Sequence, residues 1–553
     1  MVKKILWISD FTDTGYTNAT ICLLKYLIRK VEKYDIYLFA INHFLVEKDF
    51  KENCEKIFPE FPYEKIRTIN NKAFYLNYKD PKTWMKEPYA KEMIMMQRFG
   101  GYELMDVLEE IKPDLVLSIN DNSALEVHLK ILKKYEKDNK ISIKKVFYIP
   151  IDCYNLPPEF FKELEDVDYL MTMTEMSCSE ILKTGYKGSV DVLAHSINTE
   201  VFHIIEDKIM IKNKWIPEEH RSKFLILNSN KNQDRKRLDI TINSFKLLME
   251  REENRDKYCL ILKTSKKPSF NNGGILLEEY IEKLPEYVSK NIIVIEKRLT
   301  LEELNELYNC VDVNINSSIG EGWGIIPCEV SLCGVAQLVP DSTSYPEIFF
   351  KECLIRTVEM PRLLCFSGGR INPESVQCIC RGYRQYIEGE YKSLKMNVIN
   401  PLDVESFLVS EMGNDENPRC SASIKENLRI VCCFRTIGGC INYINRNKID
   451  VFQIFVHNGY NLSKIEEVMK EMDIKRLEKG YKLEYLDIGV IYAGKVMVKV
   501  PIMENIVEMI ERLRREPRRR EMIGKMCERT IRERYDIETV GEKIEGLMDK
   551  YLE

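Results

Sequence analysis

The 553-residue chain contains no run approaching the ~18–20 consecutive apolar residues that a membrane span requires. It has no surplus of one charge: 82 Lys and Arg stand against 87 Asp and Glu, a net charge of −5. A nucleic-acid binder carries a basic excess, so no large footprint on DNA or RNA is expected. Internal repeats and low-complexity tracts are missing, and the 44% hydrophobic content argues against disorder. There is no Cys-x2-Cys pair. The doublets Cys378/Cys380 and Cys432/Cys433 lack zinc-ligand spacing and nearby histidines, so no metal is expected. Several of the 17 cysteines, such as Cys22, Cys259 and Cys333, lie in apolar runs where a thiol packs like a small hydrophobe, and the expected setting is the reducing cytoplasm. The first apolar run ends at Ser9-Asp10 without a small-residue cleavage site, which reads as a strand and not as a signal peptide.

Short β-rich apolar runs alternate with helix-patterned segments, the signature of an α/β protein with parallel sheets. Strands are expected at Ile5–Ser9, Ile36–Ile41, Leu115–Ile119, Val146–Pro150, Tyr169–Thr172 and Asp191–Leu193, with helices around Ala19–Lys30 and Ser177–Thr184. Phe44 to Gly101 has weaker periodicity and is assigned to an insertion or acceptor-side loop region. A second series follows Trp215-Ile216-Pro217, with strands at Phe224–Asn228, Tyr258–Lys263, Ile292–Ile295 and Val311–Asn316 and helices near Leu238–Glu252 and Leu301–Cys310. Two doubly wound domains in tandem place a ligand cleft between the carboxyl ends of both sheets. The pattern changes over Lys351–Val490, which holds eight of the cysteines, and a helical tail, Glu504–Glu553, ends the chain.

The segment Ser317-Ser318-Ile319-Gly320-Glu321-Gly322-Trp323-Gly324-Ile325-Ile326-Pro327-Cys328-Glu329 carries the chemistry. A strand runs into a glycine loop and then a helix with Pro327 near its first turn. Glycines let backbone approach a ligand closely, and the helix N-terminus offers free N–H groups to an anion. Glu321 precedes the loop and Glu329 falls in the expected first helical turn, so one carboxylate can face each end of a bound molecule. Carboxylates accept hydrogen bonds from sugar and ribose hydroxyls. Hydroxyls at both ends and a diphosphate between them describe a nucleotide sugar.

Glu321-x7-Glu329, set in Gly-Glu-Gly-Trp-Gly-Ile, resembles the signature of the family 4 retaining glycosyltransferases of the GT-B fold. Leu301–Tyr308 resembles the helix before that motif, and Cys333–Gln337 with Tyr345-Pro346-Glu347-Ile348 resembles the strand and loop after it. Asn228 to Asp239 is similar to the loop that grips the donor diphosphate: Lys236 stands at the family's lysine, Lys231 at its usual arginine, and Arg235 is the alternative for that contact. Tyr148–Asp152 and Leu193–Phe202 also resemble family segments. The resemblance covers roughly residues 1–350 and 495–553. It implies two Rossmann-like domains with a final helix bracing the first, and metal-free, retaining transfer from a nucleoside-diphosphate sugar. The catalytic candidates are Glu321, Asp152 and His195. The donor candidates are Gly15, Lys231, Arg235, Lys236, Arg298, Gly322, Trp323, Gly324, Ile325 and Glu329.

Plainer readings stand beside these. Asp152 could cap a turn, His195 could orient a hinge loop, and Gly15 could serve only a tight turn. Asp166-Val167-Asp168 matches a metal-binding Asp-x-Asp but precedes a strand far from the nucleotide segment, so it reads as surface aspartates. Glu511–Arg534 carries ten basic and five acidic residues. Interspersed charge favours Glu–Arg pairing along a helix, with peripheral membrane contact left open. The expected organisation is an acceptor domain over 1–215, a nucleotide-sugar domain over 216–350, an insertion over 351–490 and a returning tail over 491–553. The acceptor could be a glycan, protein or lipid. The rival readings are a non-catalytic nucleotide-sugar-binding scaffold and a GT-B nucleotide-sugar epimerase.

Overall fold

The computed structural model describes residues 2–11, 15–41, 58, 60–68, 99–101, 103–268, 274–367, 451–452, 482–483 and 491–553. The first domain is a seven-stranded sheet in the order β3-β2-β1-β4-β5-β6-β7. Its strands are β1 (Lys3–Asp10), β2 (Tyr34–Ile41), β3 (Ile66–Thr68), β4 (Leu115–Ile119), β5 (Lys144–Tyr148), β6 (Tyr169–Thr172) and β7 (Ser189–Val192), all paired in parallel. Ile5, Leu6, Trp7 and Ile8 are all buried because helices cover both faces, which is why β1 is an unbroken apolar run and not an alternating one. The second domain has six parallel strands in the order β10-β9-β8-β11-β12-β13. They are β8 (Phe224–Ser229), β9 (Tyr258–Lys263), β10 (Ile292–Ile295), β11 (Val313–Ile315), β12 (Ala336–Pro340) and β13 (Leu354–Ile355).

Boundaries move by a few residues. The helix expected at Ala19–Lys30 spans Gly15–Leu27, and the strand expected at Val146–Pro150 spans Lys144–Tyr148. Pro150 cannot donate to a ladder, so pairing stops before it. Much of 44–101 lies outside the described residues; within it, Ile66–Thr68 is an edge strand on β2. Helices Glu103–Ile111 and Asn122–Asn139 complete the wrapping around β4.

The tail helices fasten the domains together. Pro517–Arg534 packs on the second domain, where Gly524 lies against Gly334: a Cβ on Gly524 would meet the Gly334 carbonyl oxygen at 2.1 Å. Arg529–Glu533, Arg532–Glu528 and Lys525–Glu521 supply the i,i+4 lacing expected for this helix. Ile537–Leu552 then crosses to the first domain. There Glu545 pairs with Lys30 and Lys33, and Asp191 pairs with Lys550.

The segment expected as an insertion over 351–490 begins as a continuation of the second domain. Leu354–Ile355 is the edge strand of the second sheet, so the domain continues past residue 350. Thr357–Ser367 then pairs antiparallel with Ile491–Pro501 along all 11 residues. Val496 and Val498 are buried in the hydrophobic cluster of the first domain. Its two cysteine doublets lie outside the described residues; Cys22, Cys153, Cys178, Cys259, Cys310, Cys328, Cys333, Cys353 and Cys527 are free. Exchanging 368–490 for a short Gly/Ser linker is expected to leave nucleoside diphosphate binding within a few-fold, because loop closure changes slowly with length. Exchanging 351–490 removes β13 and half the ribbon, and should lower the melting temperature measurably in a thermal shift assay.

Candidate functional site: a glycine loop between two cations and the first domain

The carboxyl ends of the two sheets meet at the glycine loop after β11. A Cβ on Gly320 would sit 1.8 Å from the Asp152 carbonyl oxygen, and one on Gly322 would sit 2.6 Å from Pro150 Cβ. Only glycine permits this approach between domains. Gly324 has φ +93 and its absent Cβ faces the Tyr345 ring, so the loop turns there into helix Ile325–Leu332. The N–H groups in the first turn of that helix have no intrahelical acceptor. Gly15 stands opposite: a Cβ on it would lie 3.6 Å from Ile325 Cδ1.

Glu321 is buried between two cations. Arg235 Nη1 donates to Glu321 Oε2 and to the Gly320 carbonyl, both at 2.8 Å, and Lys236 Nζ donates to Glu321 Oε1. Both cations leave one short 3₁₀ turn, Asp234–Lys236, which a buried network holds to the strand ends. Ser317 Oγ donates to the Lys236 and Arg237 carbonyls and contacts Thr241 Oγ1, which accepts from Asn228 Nδ2. Asp152 faces the cluster from the first domain, 4.0 Å from Arg235 Nε. Near it, Tyr16 Oη donates to Asp121 Oδ1 at 2.5 Å.

Burial alone would raise the Glu321 pKa, but Arg235 and Lys236 outweigh it and hold the carboxylate at about 2. Burial, with Arg235 beside it, brings Lys236 down to about 8 despite Glu321. Lys236 therefore loses its charge within reach of ordinary assay conditions. A diphosphate favours the ammonium form, so nucleoside diphosphate affinity should fall as pH rises through about 8. Calorimetry from pH 6.5 to 9.5 checks this, and Lys236→Arg should flatten the profile.

Glu329 lies in the second turn of Ile325–Leu332, one turn later than expected, because the helix starts directly after Gly324. Its carboxyl is buried and accepts no hydrogen bond from a described residue. Burial alone pushes its pKa up to about 8. The buried atoms Asn230 Oδ1, Ser318 Oγ, Trp323 Nε1 and Tyr345 Oη also have no partner among the described residues. A hydroxyl-rich ligand can satisfy such orphans.

Of the cations expected at the diphosphate, the one standing with Lys236 is Arg235. Lys231 and Arg298 are exposed. His195 is buried against Tyr148 and Trp323, at ring centroid distances of 5.6 and 6.0 Å, and neither ring nitrogen has a partner among the described residues. Burial brings its pKa down to about 3, so it has no charge to offer. Asp166 pairs with Lys133 and Asp168 with Lys145 on the first domain. Among the described residues, no group of three or more His, Cys, Asp or Glu side chains could hold a metal ion, and no helix is long and apolar enough to cross a membrane. Sequence reasoning missed Tyr16, Asp121, Tyr154 and Thr343. Tyr16 follows Gly15 directly, which was the one available signal.

Two Rossmann-like domains closing on a glycine loop, with the last helix returning to the first, define the GT-B architecture. Anabaena HepE, solved in complex with UDP, shares it: a TM-score of 0.50 over 99% of this chain and 100% of that one, at 10% identity. The N-terminal domain of the Candida albicans trehalose-6-phosphate phosphatase superposes less well, with a TM-score of 0.47 over 64% of this chain and 86% of that one, at 13% identity. In sequence, the chain is 25% identical over 246 residues to the serotype-specific mannosyltransferase WbdA of Escherichia coli. That match covers 43% of this chain and spans 27% of WbdA's length. No known protein-family profile matches the chain.

Proposed function

We propose that the protein is a family 4-like retaining glycosyltransferase that moves a sugar from a nucleoside-diphosphate donor to an acceptor hydroxyl without a metal. The observation that carries this reading is the Arg235–Glu321–Lys236 cluster at the glycine loop. The two cations and the helix N–H groups neutralise the departing diphosphate, where charge develops. Glu321 accepts hydrogen bonds from the donor sugar and Glu329 from the ribose. Asp152 orients the acceptor hydroxyl from the first domain. As the bond from anomeric carbon to phosphate oxygen breaks, the acceptor oxygen bonds that carbon and its proton passes to the departing phosphate oxygen. Glu321, held near pKa 2, is too weak a base to take it, and His195 lies buried beneath Trp323. The names of the relatives put mannosyl and UDP-linked donors first on a test panel.

The test measures nucleoside diphosphate release from such a panel, with and without glycan, lipid or protein acceptors and in excess EDTA, and assigns the product anomer by NMR. Donor-dependent release that survives chelation and retains configuration is expected. An inverted product, or activity restored only by manganese or magnesium, would overturn the retaining or the metal-free assignment. A folded protein that binds UDP but turns over no donor would fit the scaffold reading instead.

A further inference from the structure

Tyr154 stands where three parts of the chain meet, two residues beyond Asp152. Its N–H donates to the Met497 carbonyl at 2.9 Å and its carbonyl accepts from the Met497 N–H at 2.8 Å, an isolated antiparallel bridge to the strand Ile491–Pro501. Lys499 Nζ lies 5.1 Å from the centre of its ring. The neighbouring Val496 and Val498 are buried in the cluster that contains Ile151, Cys153 and Leu156. This strand is the return leg of the ribbon that carries the inserted segment, so the insertion is fastened to the first domain beside the reacting point.

From Tyr154 the connection runs to the donor loop. Its hydroxyl oxygen accepts from the Thr343 N–H at 2.5 Å, and Thr343 Oγ1 accepts from the Glu321 N–H at 3.1 Å. Thr343 is buried and has φ +49, a left-handed conformation that a β-branched residue adopts only when its surroundings enforce it. The next serine helps: Ser344 Oγ donates to the Trp323 carbonyl at 2.6 Å. The strained turn thus grips the loop at two points, and Tyr154 supplies the acceptor for its Thr343 amide.

We propose that Tyr154, clamped by the return strand of the inserted ribbon, is a positioning residue that sets the Glu321 backbone through Thr343. The return strand is thereby coupled to catalysis through Tyr154 and Thr343. The catalytic part rests on the proposed transferase activity; the mechanical part does not. A Tyr154→Phe substitution keeps the ring and the backbone bridge and removes only the acceptor, leaving a buried N–H whose loss of a partner shifts local opening by roughly 5–100-fold.

The test is amide hydrogen exchange of peptides covering 318–324 in the full chain, run with donor turnover and UDP affinity. Tyr154→Phe is expected to speed exchange in that loop at least about fivefold, to lower kcat by a similar factor, and to leave the UDP Kd within about threefold. Thr343→Ser retains both hydrogen bonds and should behave as wild type, whereas Thr343→Ala loses the Glu321 contact and should resemble Tyr154→Phe. Unchanged loop exchange in a folded Tyr154→Phe protein overturns the proposal. If that variant does not fold, unchanged exchange in Thr343→Ala does the same. A wild-type protein that turns over no donor would sink the transferase reading, while the exchange data would still decide this one.

Discussion

Replacing Glu321 with alanine should cut turnover about 10²–10³-fold while making a free nucleoside diphosphate bind about tenfold tighter. The two effects part because Glu321 has two roles. Its carboxylate neutralises one of two cations, Arg235 and Lys236, and in the proposed transferase it also holds the donor sugar. Its removal leaves two positive charges for the diphosphate to satisfy, but nothing to hold the sugar at the reacting geometry. A position before a glycine loop suggests a residue of little weight in folding; the ion pairs say otherwise. Stranding two cations should destabilise the protein at the low end of roughly 3–5 kcal/mol, since Arg235 is 35% exposed. Bound nucleoside diphosphate should restore much of that loss. Calorimetry and a thermal shift series measure both. Weaker diphosphate binding in Glu321→Ala would show that the carboxylate does not compete for these cations.

The Glu329→Gln substitution should stabilise the fold at alkaline pH and weaken nucleotide binding. Burial raises the folded-state pKa of Glu329 from 4.5 to about 8. Between these values the folded protein holds a proton that the unfolded chain has released, so stability falls as pH rises from about 4.5 and levels off above about 8. Glutamine cannot ionise. The variant should match wild type below about pH 4.5 and exceed it by roughly 3–5 kcal/mol above pH 8, at about 1.4 kcal/mol per pKa unit. The cost appears in binding, most of all above about pH 8, where the ionised carboxylate is a charged acceptor for a ribose hydroxyl, worth about 1.5–3 kcal/mol. Denaturant melts at pH 5, 7 and 9 separate the curves. Equal stability of the two proteins at pH 9 would mean that Glu329 has a partner. A gain in stability at the expense of ligand affinity is the trade expected where a binding group sits in a site prearranged for something absent.

The architecture was legible in the sequence because its signals are local. Runs such as Ile5–Ile8 and Leu225–Leu227 are apolar on both faces, which only a strand covered by helices on either side tolerates. The three glycines around Glu321, the Pro327 after them and the Glu329 beyond marked a close-approach loop opening a helix from spacing alone. The family resemblance over Asn228 to Asp239 also indicated that a basic turn follows β8. Which cation turns inward was not legible: Lys231 matches the motif, but Arg235 has the planar fork that bridges the Gly320 carbonyl and the Glu321 carboxylate together.

What the tertiary structure decided is what joins residues far apart in the chain. Glu321 owes its low pKa to cations about 85 positions earlier, and Glu329 its high one to the burial that domain packing imposes. The 1.8 Å that a Cβ on Gly320 would leave to Asp152 is a relation between two domains, invisible in a list of glycines. The inserted segment is the clearest case. The strand that follows it, within the stretch expected as a returning tail, brings Met497 to Tyr154 across more than three hundred residues of sequence. Periodicity reports which face of an element is buried. What it is buried against depends on hydrogen bonds and burial shared between elements, and those exist only once the chain has closed on itself.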